Sequence, residues 1–219
     1  MKTFSRRGAS YGHFARRVQA AALGLLLFAA PAAARTLHLV ALGDSLTAGY
    51  GLPPGQGFAE TLGRALKAGG WDVEVTNAGV SGETAEDGLA RYDWSVPAGT
   101  DALLVELGAN DMLRGRPPEG AEAALAEILE RAKKAHVATL LTGMLAAPNL
   151  GADYKKKFDA IYPALAARYG VALYPFFLDG VAGDPKLTQP DGLHPARAGV
   201  EVVVARVLPA VEALLAKIK

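Results

Sequence analysis

Leu39-Val40-Ala41-Leu42-Gly43-Asp44-Ser45-Leu46-Thr47-Ala48-Gly49-Tyr50-Gly51 is an apolar run that ends abruptly in small and polar residues. A continuous apolar run bounded by glycine is the pattern of a strand covered on both faces, as in a parallel α/β sheet. Such sheets bind ligands beyond the carboxyl ends of their strands, and Ser45 falls where that edge is expected. Taken alone, Ser45 or Thr47 also suits a helix start, since Ser and Thr cap helices. The glycines at 49, 51 and 55 do not make a phosphate loop, because no Gly-Lys-Ser/Thr follows and the G-x-G-x-x-G register is missed.

Outward from this stretch, strands are expected over Thr36 to Leu42, Trp71 to Thr76, Asp101 to Leu107, Val137 to Thr142 and Val171 to Tyr174. Helices are expected over about Phe58 to Lys67, Glu119 to Ala135, Tyr154 to Tyr169, and from Pro195 toward Ile218 with a kink at Pro209, while Thr84 to Tyr92 reads as a short helix or turn. The helix at 119–135 is the clearest. Ala121, Ala124, Leu125, Ile128, Leu129 and Ala132 share one face, while Glu127 with Arg131 and Glu130 with Lys134 are i,i+4 pairs toward solvent. Strands separated by helical segments of this length imply right-handed βαβ units. The expected fold is therefore α/β, a three-layer α/β/α sandwich on a five-stranded parallel sheet.

At 219 residues the chain suits one domain plus a short appendage. The appendage is the first 34 residues, where Lys2, Arg6, Arg7, Arg16 and Arg17 precede an apolar run from Val18 to Ala30 and then Pro31-Ala32-Ala33-Ala34. This reads as a secretory signal peptide cleaved before Arg35, since the run is short of the roughly 20 apolar residues that span a bilayer. Residues 35–219 then form the domain, with 18 Lys+Arg against 22 Asp+Glu. An acidic domain without a basic stripe is no nucleic-acid binder. Cysteine is absent, which excludes disulfides and thiolate metal sites, and no H-E-x-x-H motif or histidine cluster points to a metal.

Four stretches, Gly43-Asp44-Ser45-Leu46, Asn77-Ala78-Gly79-Val80-Ser81-Gly82-Glu83-Thr84, Glu106-Leu107-Gly108-Ala109-Asn110-Asp111 and Asp191-Gly192-Leu193-His194-Pro195, resemble in order and spacing the blocks of the GDSL or SGNH hydrolase superfamily. The four named residues of that superfamily fall on Ser45, Gly79, Asn110 and His194. The likeness is greatest to the bacterial periplasmic enzymes described as acyl-CoA thioesterase, lysophospholipase and arylesterase, and it continues through Pro148-Asn149, Gly151, Tyr154, Phe158 and Pro175-Phe176-Phe177. It implies a flavodoxin-like fold, no cofactor, and hydrolysis of esters and thioesters with medium to long acyl chains in the periplasm or outside the cell. One position departs, because two glycines usually precede the asparagine and here Ala109 stands second.

The residues support the same chemistry on their own terms. A serine hydroxyl needs a base to take its proton, and the base needs a third group to hold its tautomer. His194 and Asp191 suit those roles, a turn at Gly192 bringing the carboxylate to Nδ1 and leaving Nε2 for Ser45. His13 lies in the leader, His38 within a strand and His136 at a helix end. Ser81 lacks the G-x-S-x-G elbow. The expected oxyanion donors are the N–H groups of Ser45 and Gly79 and the carboxamide of Asn110, although Gly79 also suits a plain turn and Asn110 a cap. Asp44 and Asp111 are read as structural groups that bond loop amides. Met112, Leu113, Leu145, Pro148, Leu150 and Leu193 lie near the site in sequence and favour an acyl chain as the small-molecule partner. A carbohydrate O-acetylesterase and a non-catalytic fatty-acid binder on the same fold are the competing readings.

Overall fold

The opening stretch supplies β1 (Leu37–Gly43), which is hydrogen-bonded to a strand on each side and buried at every position but His38. With β2 (Val73–Gly79), β3 (Ala102–Glu106), β4 (Ala138–Thr142) and β5 (Ala172–Tyr174) it forms a parallel sheet of order β2-β1-β3-β4-β5. The structure is a computed structural model that describes residues 1–3 and 35–218. The expected signal peptide therefore falls, apart from its first three residues, outside the described residues. Among the described residues no helix is long and apolar enough to cross a membrane.

The helices are α1 (Ser45–Ala48), α2 (Phe58–Ala68), α3 (Ala85–Ala90), α4 (Tyr92–Ser95), α5 (Ala109–Leu113), α6 (Pro118–Lys134), α7 (Ala152–Tyr169) and α8 (Arg197–Leu215). α2 packs with α8, and α6 packs with both α3 and α7. Right-handed crossovers place these two groups on opposite faces of the sheet, which gives the expected three layers. On α6 the six residues of the predicted apolar face are all buried, and the Glu127–Arg131 and Glu130–Lys134 pairs close at 2.9 and 3.4 Å. Exposed pairs of this kind contribute little, about 0.3–0.5 kcal/mol each, so the buried face holds the helix.

Three boundaries differ from the sequence reading. β2 runs on to Gly79, because Asn77, Ala78 and Gly79 pair with Ala41, Leu42 and Gly43 of β1. The segment at 84–92 divides into α3 and α4, with Thr84 as a capping-box residue whose hydroxyl accepts from the Asp87 N–H. Pro195 bridges antiparallel to Thr188 instead of opening a helix, and α8 starts two residues later.

Register fixes where the site can form. Gly43 aligns with Gly79 of β2 and with Glu106 of β3, so β2, β1 and β3 end on one row. A Cβ on Gly43 would lie 2.0 Å from Thr47 Oγ1, and one on Gly79 would lie 2.3 Å from the Ala48 nitrogen. Gly43 and Gly79 must therefore lack side chains for α1 to sit down on the ends of β1 and β2. Leu104 is wholly buried at the centre of β3, between β1 and β4. Leu104→Ala is expected to cost about 2–5 kcal/mol in urea unfolding, and a loss under about 1 kcal/mol would contradict a close-packed sheet centre.

Candidate active site

Ser45 is the first residue of α1, delivered by β1 and capped by Asp44, whose Oδ1 accepts the Leu46 N–H at 3.0 Å. The chain thus satisfies both readings of this stretch at once, a strand end and a helix start. At the first helical position the Ser45 N–H has no acceptor within the helix.

His194 reaches Ser45 from the loop between β5 and α8, with Nε2 2.9 Å from Ser45 Oγ. Its Nδ1 is 2.6 Å from Asp191 Oδ2. The other Asp191 oxygen accepts the backbone N–H groups of Leu193 and His194 at 2.9 and 3.0 Å. Those amide donors, His194 first, together with the imidazole, hold the Asp191 carboxyl down at about 2. Asp191 is therefore ionised and can only accept, so Nδ1 carries the ring proton and Nε2 is free to accept from the serine hydroxyl. The geometry is that of a base held in one tautomer against a nucleophile.

Of the other expected oxyanion donors, Gly79 and Asn110 each have a resident acceptor. Gly79 N–H donates to Asn77 Oδ1 at 3.0 Å. Asn110, on α5 after β3, donates its two amide hydrogens to Asp44 Oδ2 at 3.0 Å and to the Glu83 carbonyl at 2.9 Å. Glu83 is itself paired with Arg91, whose guanidinium also donates to Ser95 Oγ and to the Gly43 carbonyl at the end of β1. Asp111 accepts the Ala85 N–H at 2.8 Å, so the flanking aspartates bond amides in the first turns of helices and not the loop amides expected for them.

Behind α1 lies a second carboxyl that sequence reasoning left unassigned. Glu106, wholly buried at the end of β3, accepts from Thr47 Oγ1 at 2.8 Å and from the Asp44 N–H at 3.3 Å through Oε2. Its Oε1 has no hydrogen-bond partner among the described residues. Burial, reinforced by the neighbouring Asp44 charge, pushes the Glu106 carboxyl well above its ordinary value. Burial likewise pushes Asp44 up to about 6. The strand pattern predicted a buried position at 106, but the acid there carried no motif by which to give it a role.

A cavity of about 560 Å³ opens off Ser45, Asn110 and His194. Of the six expected lining residues, Met112, Leu113, Leu145, Pro148 and Leu193 line it. Leu150 does not: it ends the 3₁₀ turn Pro148–Leu150 and packs partly buried against the core. At three residues per turn, positions 148 and 150 point in different directions, which single-residue proximity in sequence does not reveal. Met144, Phe176 and Leu178 line the cavity and were missed. Met144 follows the carboxyl end of β4, a signal that was available. Phe176 and Phe177 diverge, the second being core. Ala109, the departure in the third block, also lines the cavity. Lys155 on its wall is engaged, with Nζ 2.6 Å from Asp159 and 3.1 Å from the Ala146 carbonyl. Among the described residues no group of three His, Asp or Glu side chains is arranged to hold a metal ion.

Comparison with known proteins places the chain among relatives. The profile of the GDSL-like lipase/acylhydrolase family matches residues 41–202. Esterase TesA of Pseudomonas aeruginosa is 40% identical over 194 residues, covering 88% of this chain and 96% of that protein. Thioesterase 1/protease 1/lysophospholipase L1 of Escherichia coli K12 is 42% identical over 176 residues, covering 80% and 82%. A crystal structure of TesA superposes with a TM-score of 0.77 at 37% identity, covering 81% of this chain and 99% of that one.

The raised Glu106 value makes a stability prediction. A carboxyl whose folded value lies above its unfolded value of about 4.5 costs stability progressively as pH rises past 4.5. Glu106→Gln cannot ionise and avoids that cost. Its melting temperature is expected to exceed that of the unsubstituted chain by a margin that widens between pH 4.5 and pH 8, and a margin independent of pH would contradict a buried, reluctant acid.

Proposed function

The chain belongs to the GDSL-like lipase/acylhydrolase family and is a serine esterase of the SGNH fold, and from that premise we propose that it is an exported enzyme that cleaves acyl esters and thioesters through an acyl-enzyme on Ser45. The observation that carries the reading is the aligned series of Asp191, His194 and Ser45, at 2.6 and 2.9 Å, opening on an apolar cavity.

Ser45 Oγ attacks the acyl carbonyl while its proton passes to His194 Nε2. The imidazolium so formed is held by ionised Asp191, then gives its proton to the leaving alcohol or thiol. Water repeats the sequence in reverse and frees the acid. The Ser45 N–H, the Gly79 N–H and the Asn110 carboxamide receive the oxyanion. To do so, Gly79 turns from Asn77 Oδ1 and Asn110 from the neutral Glu83 carbonyl, because a full negative charge is the stronger acceptor. Asp44 keeps the other Asn110 hydrogen and so holds the amide near its working position. Each donor of this kind supplies about 10²–10³ in rate.

The cavity wall of Met112, Leu113, Met144, Leu145, Phe176 and Leu178 suits an alkyl chain and offers a sugar ring few partners. Export rests on the leader-like composition of residues 1–34, with the mature chain beginning at Arg35 in the periplasm or outside the cell.

Ser45→Ala is expected to lower kcat on p-nitrophenyl esters by about 10³-fold or more while leaving the melting temperature within a few degrees. Across an acyl series from acetate to palmitate, kcat/KM is expected to rise as methylenes enter the cavity, by up to about tenfold for the first two or three. Retained turnover in Ser45→Ala would refute the nucleophile. Activity confined to acetyl esters would shift the substrate to O-acetylated carbohydrate.

A further inference from the structure

Asp191 fixes the tautomer of His194 but sits on the same turn, so it cannot by itself register that turn against the serine. Something must join the loop at 188–195 to the loop after α1, which lies about 140 residues earlier in the chain. Gln189 makes that join. Its side-chain amide donates to the Tyr50 carbonyl at 2.7 Å and to the Pro195 carbonyl at 3.1 Å. Its backbone N–H donates to the His194 carbonyl at 2.7 Å, and its own carbonyl accepts from the Gly192 N–H at 2.9 Å. One residue thus ties both ends of the histidine turn together and fastens them to the serine loop. The fit is close enough that a Cβ on Gly51 would lie 2.2 Å from Gln189 Oε1.

The fastened residue, Tyr50, lays its ring on the imidazole, with centroids 4.6 Å apart and planes at 39°. Tyr50 is 53% exposed, so burial does not account for where its ring rests. An aromatic face attracts a cation, and His194 becomes one when it takes the serine proton.

We propose that Gln189 is a positioning residue for catalysis, which with Tyr50 holds the His194 imidazole against Ser45 independently of Asp191. The inference rests on the reading of His194 as the base and adds a second support for it. Magnitudes separate it from a merely structural role. Gln189 is only half-buried, so the carbonyls it serves would find water if it were removed, and the loss of stability is small. A displacement of about 1 Å between base and nucleophile, by contrast, costs about 10²-fold in rate.

The test uses Gln189→Met, which keeps the length of the side chain without its hydrogen bonds, and Gln189→Glu, which turns a carboxylate oxygen toward two carbonyls. Both are expected to lower kcat on a soluble p-nitrophenyl ester by about tenfold or more, with KM within about threefold and a melting temperature within a few degrees. Tyr50→Phe keeps the ring and is expected to stay within about twofold of the unsubstituted enzyme, whereas Tyr50→Ala loses rate. Gln189→Met made in the Tyr50→Ala background is expected to cost less than alone, because the Gln189 bond to the Tyr50 carbonyl outlasts that substitution but no longer places a ring on the imidazole. The His194 Nδ1 proton, followed by NMR, gives a readout that needs no turnover, and its resonance is expected to broaden or shift in Gln189→Met. A kcat within twofold in Gln189→Met, a loss confined to KM, strictly additive losses or an unchanged Nδ1 resonance would each overturn the proposal. Absence of turnover in the unsubstituted chain would instead refute the esterase reading, and the resonance would still decide the role of Gln189.

Discussion

Because Gly43 is in register with Gly79 on one side and Glu106 on the other, β1, β2 and β3 end together, and the groups that follow them inherit fixed positions. Ser45 lies two residues past that row and Asn110 four. No local sequence preference could bring residues 45, 79 and 110 within reach of one another. Parallel pairing sets their strand ends side by side, and the reversal of strand order at β1 and β3 leaves the crevice that Ser45 and Asn110 line. The remaining requirement is a base, which arrives from the far end of the chain on an irregular loop held by hydrogen bonds of its own.

The same row explains a cost carried by the fold. Seating α1 on the strand ends buries Asp44 and Glu106 together, with Thr47 between them. Neither acid is favoured in its charged form there. Asp44 earns its place by capping α1 and holding Asn110, both of which bear on the nucleophile. Stability given up at a site in return for geometry is a common pattern in enzymes.

Much of this was legible in the sequence. Strands buried on both faces announce themselves as apolar runs, and α6 shows its period plainly, so the five strands and three layers followed from pattern alone. The hydrogen-bonded series of Asp191, His194 and Ser45 was legible because Asp191, Gly192 and His194 lie within one turn, whose reach can be judged from spacing. What stayed hidden depends on side-chain direction in irregular segments. Leu150 turned away from the cavity that Pro148 lines, and Phe176 faced it while Phe177 entered the core. The role of Glu106 was equally invisible, since a buried acid in an apolar strand has meaning only through its neighbours on β1 and α1.

The most direct test of convergence is a crystal structure of the chain after reaction with an alkyl p-nitrophenyl phosphonate. The account predicts phosphorus on Ser45 Oγ, one phosphonyl oxygen within hydrogen-bond distance of the Ser45 and Gly79 N–H groups and of Asn110 Nδ2, and the alkyl group along Met112 and Phe176. Phosphorus on another side chain, or on Ser45 with that oxygen turned to solvent and His194 out of reach, would contradict it.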